Sequence, residues 1–108
     1  MGASSARERE ADLRRVHEVE VALAAAMDAG VVAGSAEANE LAEAHRASLT
    51  WFEVTHSKHV LLARMYVEDP RFSAHFDEVR PGLAAWLRSV VEANARTHGV
   101  DPESASWR

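Results

Sequence analysis

The chain has 108 residues, a formal net charge of −5 and a hydrophobic content of 47%, which suits one domain with a single core. The acidic balance, with a single lysine, argues against a surface that binds nucleic-acid phosphates. Cysteine is absent, which excludes disulfides and thiolate sites, and the sequence shows neither a signal peptide nor an apolar run of membrane-spanning length, so we expect a cytoplasmic protein.

The first two predicted helices are marked by capping residues and by helical spacing of apolar side chains. The first runs from about Ser5 to Met27, because Ser5 and Glu8 have the capping-box spacing. Its apolar face comprises Leu13, Val16, Val19, Leu23 and Met27. Gly30 suits its C-terminal cap. The second runs from Ala36 to about Thr50 after the N-cap Ser35, with His45 on its apolar face between Leu41 and Leu49.

Two prolines mark the later helices, since proline at the first helical position has the required φ and needs no N–H. The third helix, capped by Thr55 or Ser57, ends before Asp69. Asp69 then caps a short fourth helix from Pro70 to about Glu78. The fifth runs from Pro81 to about His98, and Asp101-Pro102-Glu103 can start one more turn. These elements predict an all-α fold, a single bundle of about five helices.

Two strings in this half of the chain carry a resemblance to a known family. They are Met65-Tyr66-Val67-Glu68-Asp69-Pro70-Arg71-Phe72 and Pro81-Gly82-Leu83-Ala84-Ala85. With them the chain resembles the TipAS-like antibiotic-recognition domain, the ligand-binding part of certain MerR-family regulators, from about Leu13 to His98. We therefore expect residues 1–108 to form one such domain, with its core at about residues 8–99.

The resemblance implies a globin-like fold with a cleft that binds bulky heteroaromatic antibiotics such as thiopeptides. The sequence holds no counterpart of the regulators' DNA-binding half, so we expect a stand-alone domain that sequesters or senses its ligand. The best-known members capture thiopeptides covalently through a cysteine, and Val54 falls where that cysteine would stand. Because cysteine is absent, the expected binding is reversible and non-covalent.

The predicted ligand-binding residues combine aromatic rings, polar groups on inner helix faces and one adaptable methionine. They are Trp51, Phe52, His59, Tyr66, Trp86, His45, Met65 and Asn94. A structural role is the alternative for each: core histidines, a buried amide, or plain core rings, which is the interpretation we favour for Phe72 and Phe76. Glu20, on the rim of the first apolar face, either reaches water or meets a cationic ligand.

Other functions receive less support from the residues. Glu53, His56 and His59 are spaced i, i+3, i+6, but this spacing straddles an expected turn, so we predict no metal and no cofactor, with a haem or metal protein as the least favoured alternative. No nucleophile and base stand out, so we expect no catalysis. The second hypothesis is an interaction module that pairs with itself, as a homodimer, or with a regulator's sensor domain. The predicted partner is a large hydrophobic small molecule, with neither nucleic acid nor membrane bound directly.

Overall fold

The computed structural model describes residues 2–50 and 52–107 of the chain, with side chains from residue 6 onwards. The described residues form five α-helices and one 3₁₀ turn. They are α1 (Gly2–Asp28), α2 (Ala36–Ser48), α3 (His56–Glu68), α4 (Pro70–Val79), α5 (Leu83–Thr97) and the turn Pro102–Ser104. No strand occurs among them, which confirms the predicted all-α class; the globin-like layout stays a prediction.

Three helices begin where the local chemistry predicts. The side chains of Ser35 and Thr55 accept hydrogen bonds from the N–H groups three residues on, at the starts of α2 and α3. Asp69 caps α4 with Pro70 at its first position. Gly30, at φ 80°, lets the chain leave α1 in a left-handed conformation that side-chain-bearing residues rarely adopt.

Other predicted boundaries are wrong. The first helix begins at Gly2 rather than Ser5, and the second ends at Ser48 rather than about Thr50 because Leu49 is already extended. The last helix begins at Leu83 rather than Pro81. Gly82 has φ 86°, so the chain makes a tight turn after Pro81 before the helix can start.

The core is built around α5, which contacts each of the other four α-helices. Leu83, Leu87 and Val91 of α5 pack with Leu23 of α1 and Val60 of α3, all of them buried. A smaller cluster joins Ala38 and Ala42 of α2 to Val90 of α5, and the half-buried Trp86 packs against both clusters. The alanines let α2 approach α5 closely, which fixes the position of the polar side chains on α2.

The predicted inward face of the first helix divides into two parts. Leu23 is fully buried, as expected, whereas Leu13 is 61% exposed and none of residues 6–18 is buried. The predicted apolar face is therefore buried only in part, because the first half of α1 extends past the helices that cover its second half. Within the described residues, no helix has both the length and the hydropathy that crossing a bilayer requires.

Candidate ligand-binding cleft

An apolar cleft of about 520 Å³ opens between α1 and α4. Its lining side chains come from four helices and the residue after α2. They are Leu13, Val16, His17, Glu20, His45, Leu49, Tyr66, Arg71, Phe72, His75 and Phe76. This volume falls in the range of pockets that take drug-sized ligands. A second depression of about 630 Å³ between α1 and α2 is lined mainly by alanines and has no aromatic wall.

Aromatic rings form the inner wall of the cleft. The ring centroid of Tyr66 lies 4.7 Å from that of Phe76 and 5.7 Å from that of Phe72. The His45 ring meets Tyr66 edge to face at 6.0 Å. Burial, reinforced by the negative charge of Glu20, raises the pKa of Tyr66 to about 12, so its hydroxyl stays protonated at neutral pH. The wall is therefore polarisable and carries a hydrogen-bond donor.

Two buried histidines form a pair, and one of them, His45, lines the cleft. Nδ1 of His45 is 2.9 Å from Nε2 of His59, and both side chains are 1% exposed. Burial lowers the pKa of His45 to about 4, and burial together with the neighbouring His45 charge lowers the pKa of His59 to about 3. Both rings are therefore neutral at pH 7, and one ring must donate its N–H to the other.

The surroundings of His59 favour one arrangement of these protons. Its buried Nδ1 has no hydrogen-bond partner among the described residues. A buried N–H without an acceptor is rarer in proteins than an unpaired acceptor, so we assign Nδ1 of His59 as a bare acceptor. His59 then donates from Nε2 to His45, and His45 carries its own proton on Nε2. Since His45 lines the cleft, this tautomer adds a buried N–H donor to the hydroxyl of Tyr66.

Glu20 supplies the one acidic side chain in the cleft lining. It is 4% exposed, and Nε2 of His75 donates to both of its carboxylate oxygens at 3.0 Å. The cation on the opposite rim, Arg71, is engaged elsewhere. Its Nη2 donates to Asp69 at 2.8 Å, and these hydrogen bonds lower the pKa of the Asp69 carboxyl. The polar groups of the cleft lining thus include donors on Tyr66 and His45, the Glu20 carboxylate, and His17, Arg71 and His75.

A separate polar cluster joins α2, α3 and α5 outside the cleft. Oε2 of Glu43 accepts hydrogen bonds from Nδ2 of Asn94 at 2.7 Å and from Nε2 of His56 at 2.9 Å, and Oε1 accepts from Arg46 at 2.8 Å. The His56 ring stacks on that of His98 at 4.2 Å. Burial by itself raises the pKa of the Glu43 carboxyl. Hydrogen bonds from Arg46 and Asn94 and the nearby positive charge together outweigh burial, so the pKa falls to about 2.

This cluster is where ligand atoms for a metal come closest together within the described residues. Donor atoms of Glu43, His56 and His98 lie within 4.8 Å of one another. The set weighed from the sequence does not assemble, because Glu53 precedes α3 and His59 faces His45. The Glu43 carboxylate is already bound on both oxygens, and Arg46 supplies a positive charge beside it. We therefore interpret the cluster as a junction between three helices.

Comparison with known proteins identifies the family. A family model described as the TipAS antibiotic-recognition domain matches residues 3–94. The chain belongs to the TipAS family. It is also similar to two proteins named HTH-type transcriptional activator TipA, from Streptomyces coelicolor and Streptomyces lividans, each 41% identical over 76 residues. The match covers 68% of this chain and 30% of each relative's length. No solved structure matches the chain.

The cleft of this TipAS domain holds two of the predicted ligand-binding residues, Tyr66 and His45. His59 lies directly behind His45 and reaches the cleft only through it. Trp51 falls outside the described residues. The structure places the other four away from the cleft lining: Phe52, Trp86, Met65 and Asn94.

Those four residues have other contacts. Phe52 is 42% exposed and its ring lies 5.4 Å from that of Trp107. Nε1 of Trp86 donates to the carbonyl oxygen of Val31 at 3.2 Å, which ties α5 to the loop after α1. Met65 is half-buried against the main core, and Asn94 is fully buried in the Glu43 junction. The binding roles predicted for them remain without support from their positions.

Sequence reasoning missed most of the cleft's outer wall. His17, Arg71 and His75 were not considered, and Phe72 and Phe76 were assigned to the core, although Phe76 is indeed only 2% exposed. One signal was present in the sequence. The cleft residues of α4 repeat at i, i+1, i+4 and i+5, which places aromatic and basic side chains on one helix face.

Proposed function

We propose that the cleft between α1 and α4 binds a bulky hydrophobic antibiotic, such as a thiopeptide or similar heteroaromatic compound, reversibly. The observation that carries this proposal is an apolar, ring-lined cleft of about 520 Å³ in a chain of the TipAS family. Flat rings would stack on Phe72 and Tyr66, each such pair adding about 0.5–1.5 kcal/mol beyond the apolar area it buries. Carbonyl or ring-nitrogen acceptors would take the donors of Tyr66 and His45.

Binding without a covalent bond follows from the residues available. The sequence has no cysteine that could add to an unsaturated ligand. Val54, which stands where the resemblance places such a cysteine, is 5% exposed and does not line the cleft. Affinity therefore depends on buried area and on a few hydrogen bonds, and the ligand dissociates without any covalent bond being broken.

The biological consequence we propose is sensing or sequestration of the drug in the cytoplasm, by a protein that is not an enzyme. The matched relatives are transcriptional activators by name, and this chain spans 30% of their length, so the described domain would supply the drug-binding part of such a response. Among the described residues, the cleft presents donors and one carboxylate without a nucleophile held by a base, an arrangement that suits binding rather than turnover.

A matched pair of substitutions tests this function by isothermal titration with thiostrepton and nosiheptide. Leu13 is 61% exposed and lines the cleft, whereas Val32 is 68% exposed and lies outside it. Neither side chain supports the core, so both Leu13→Ser and Val32→Ser should fold normally. Losing a leucine that the ligand buries costs about 1.5–3 kcal/mol, so Leu13→Ser should weaken binding about tenfold or more while Val32→Ser leaves it unchanged.

Two results would contradict the proposal. The first is a folded wild-type protein that binds no member of a panel of bulky heteroaromatic antibiotics at micromolar concentrations. The second is binding that responds equally to the two substitutions, since that would place the ligand elsewhere on the surface.

A further inference from the structure

The carboxylate of Glu20 is buried in a cleft wall whose neighbouring side chains are mainly apolar. Its residue is 4% exposed, and the cleft side chains around it on α1 and α4 include Val16 and Phe76. A carboxylate removed from water is costly unless positive charge or several hydrogen-bond donors compensate it. The Glu20 carboxylate therefore needs a hydrogen-bond donor or a positive charge on the side that faces the cleft.

The hydrogen-bond partner of Glu20 among the described residues is a single, half-exposed histidine. Nε2 of His75 donates to both oxygens at 3.0 Å, but the His75 side chain is 52% exposed. The same side chain, with His17, also lines a shallow depression on the far side of the cleft rim. His75 therefore has open space into which it can rotate, and each Glu20 oxygen can still accept further hydrogen bonds.

The charge of Glu20 acts on the interior of the cleft. It contributes, after burial, to the raised pKa of Tyr66 in the inner wall. The two buried histidines beneath are neutral at pH 7, and the rim guanidinium of Arg71 is bound by Asp69 at 2.8 Å. Among the described residues, the hydrogen-bond partner of the Glu20 carboxylate is thus the half-exposed His75 and not the Arg71 guanidinium.

We propose that Glu20 makes the cleft selective for guests that carry a protonated amine or amidine on an aromatic ring system. The ring system lies between Phe72 and the apolar face of α1, and the cationic nitrogen donates to the Glu20 carboxylate, with His75 moving towards the rim. A charge-assisted hydrogen bond at a buried carboxylate is stronger than one between neutral groups. This inference rests on the proposed function, because it assigns a ligand class to the same cleft.

Three acridines of nearly equal shape test the charge preference. At pH 7.5, 9-aminoacridine is a cation, acridine is neutral and acridine-9-carboxylate is an anion. Fluorescence titration of the wild-type protein should give affinities in that order, with the cation bound about tenfold or more tightly than the neutral ring. In Glu20→Gln, which keeps the shape of the side chain, this advantage should disappear, so that the affinities for 9-aminoacridine and acridine lie within about twofold of each other.

Glu18→Gln is the matched control. Glu18 lies on the same helix and is exposed outside the cleft. Its substitution by glutamine changes the net charge of the protein by the same amount as Glu20→Gln. It should leave all three affinities unchanged, and circular dichroism should show that both variants are folded. A cation preference lost equally in both variants would reflect net charge and would overturn the inference.

The remaining outcomes separate this inference from the proposed function. Wild-type protein that binds thiostrepton but ranks the three acridines equally, or binds none of them, overturns the selectivity and leaves the drug-binding function standing. Wild-type protein that binds neither thiostrepton nor any acridine overturns both. Should Glu20→Gln prove unfolded, the Glu18→Gln control decides: a cation preference that it retains supports the assignment to the cleft, and one that it loses reflects net charge and overturns the inference.

Discussion

The buried His45–His59 pair should make the fold lose stability in mild acid, well above the pH at which carboxylates titrate. In the folded protein, burial holds the pKa of these rings at about 4 and about 3, whereas an unfolded chain protonates both near its ordinary value of 6.5. Between those values the unfolded state binds more protons than the folded state, so the free energy of unfolding falls as the pH falls. By about pH 5 the two rings together should cost about 4 kcal/mol.

This loss is large against the 5–15 kcal/mol by which domains of this size are usually stable. Urea unfolding followed by circular dichroism at about pH 7 and about pH 5 measures it directly. In the double variant His45→Asn/His59→Gln, the amide groups stand near the ring nitrogens that now bond each other, and neither side chain titrates. The variant should lose most of the difference between the two pH values.

His17→Gln is the control, because His17 is an exposed histidine on α1. It should keep the acid sensitivity of the wild-type protein. The reasoning is refuted if wild-type stability is equal at the two pH values, or if the double variant falls as steeply as the wild type. The lowered pKa of Glu43 does not confuse the result, since its contribution is complete above pH 4.5 and is lost only as the pH falls towards 2.

Three further predictions concern the junction, the loop after α1 and the cleft. Glu43→Gln removes the negative charge that lies 2.8 Å from Nη2 of Arg46. Because both side chains are about a third exposed, we expect the free energy of unfolding in urea at pH 7 to fall by about 1 kcal/mol. Trp86→Phe removes the N–H donated to the Val31 carbonyl oxygen and should cost about 1 kcal/mol in the same assay. A bound thiopeptide should slow amide exchange in residues 6–18 while leaving α5 unchanged, as measured by mass spectrometry; slowing spread evenly over the chain would contradict the site.

The sequence predicted best what is decided within a few residues. The N-caps Ser35, Thr55 and Asp69 act on N–H groups two or three positions away, so the starts of α2, α3 and α4 were predictable. The start of α5 was not, because both Pro81 and the residues after Gly82 can open a helix, and the observed turn at Gly82 decides between them.

The cleft was harder to predict because exposure depends on contacts between distant elements. Helical spacing identified Leu13 and Phe72 as apolar positions, but only the placement of α4 across α1 makes them face open space. His45 was recognised as either a core or a cleft residue, and it is both: buried at 1% exposure and lining the cleft. The Glu43 junction joins residues 51 positions apart in the chain, which no local pattern reveals.

This small domain has a cleft because α1 is longer than the set of helices that packs against it. Only the second half of α1 is covered: Leu23 and Ala24 are buried there, while none of residues 6–18 is. The stripe Leu13, Val16 and Glu20 continues the same helix face beyond the core, where α4 approaches it without closing the gap. A guest in that gap takes the place of missing core side chains, and so the apolar pattern that stabilises the fold at one end of α1 becomes a receptor at the other.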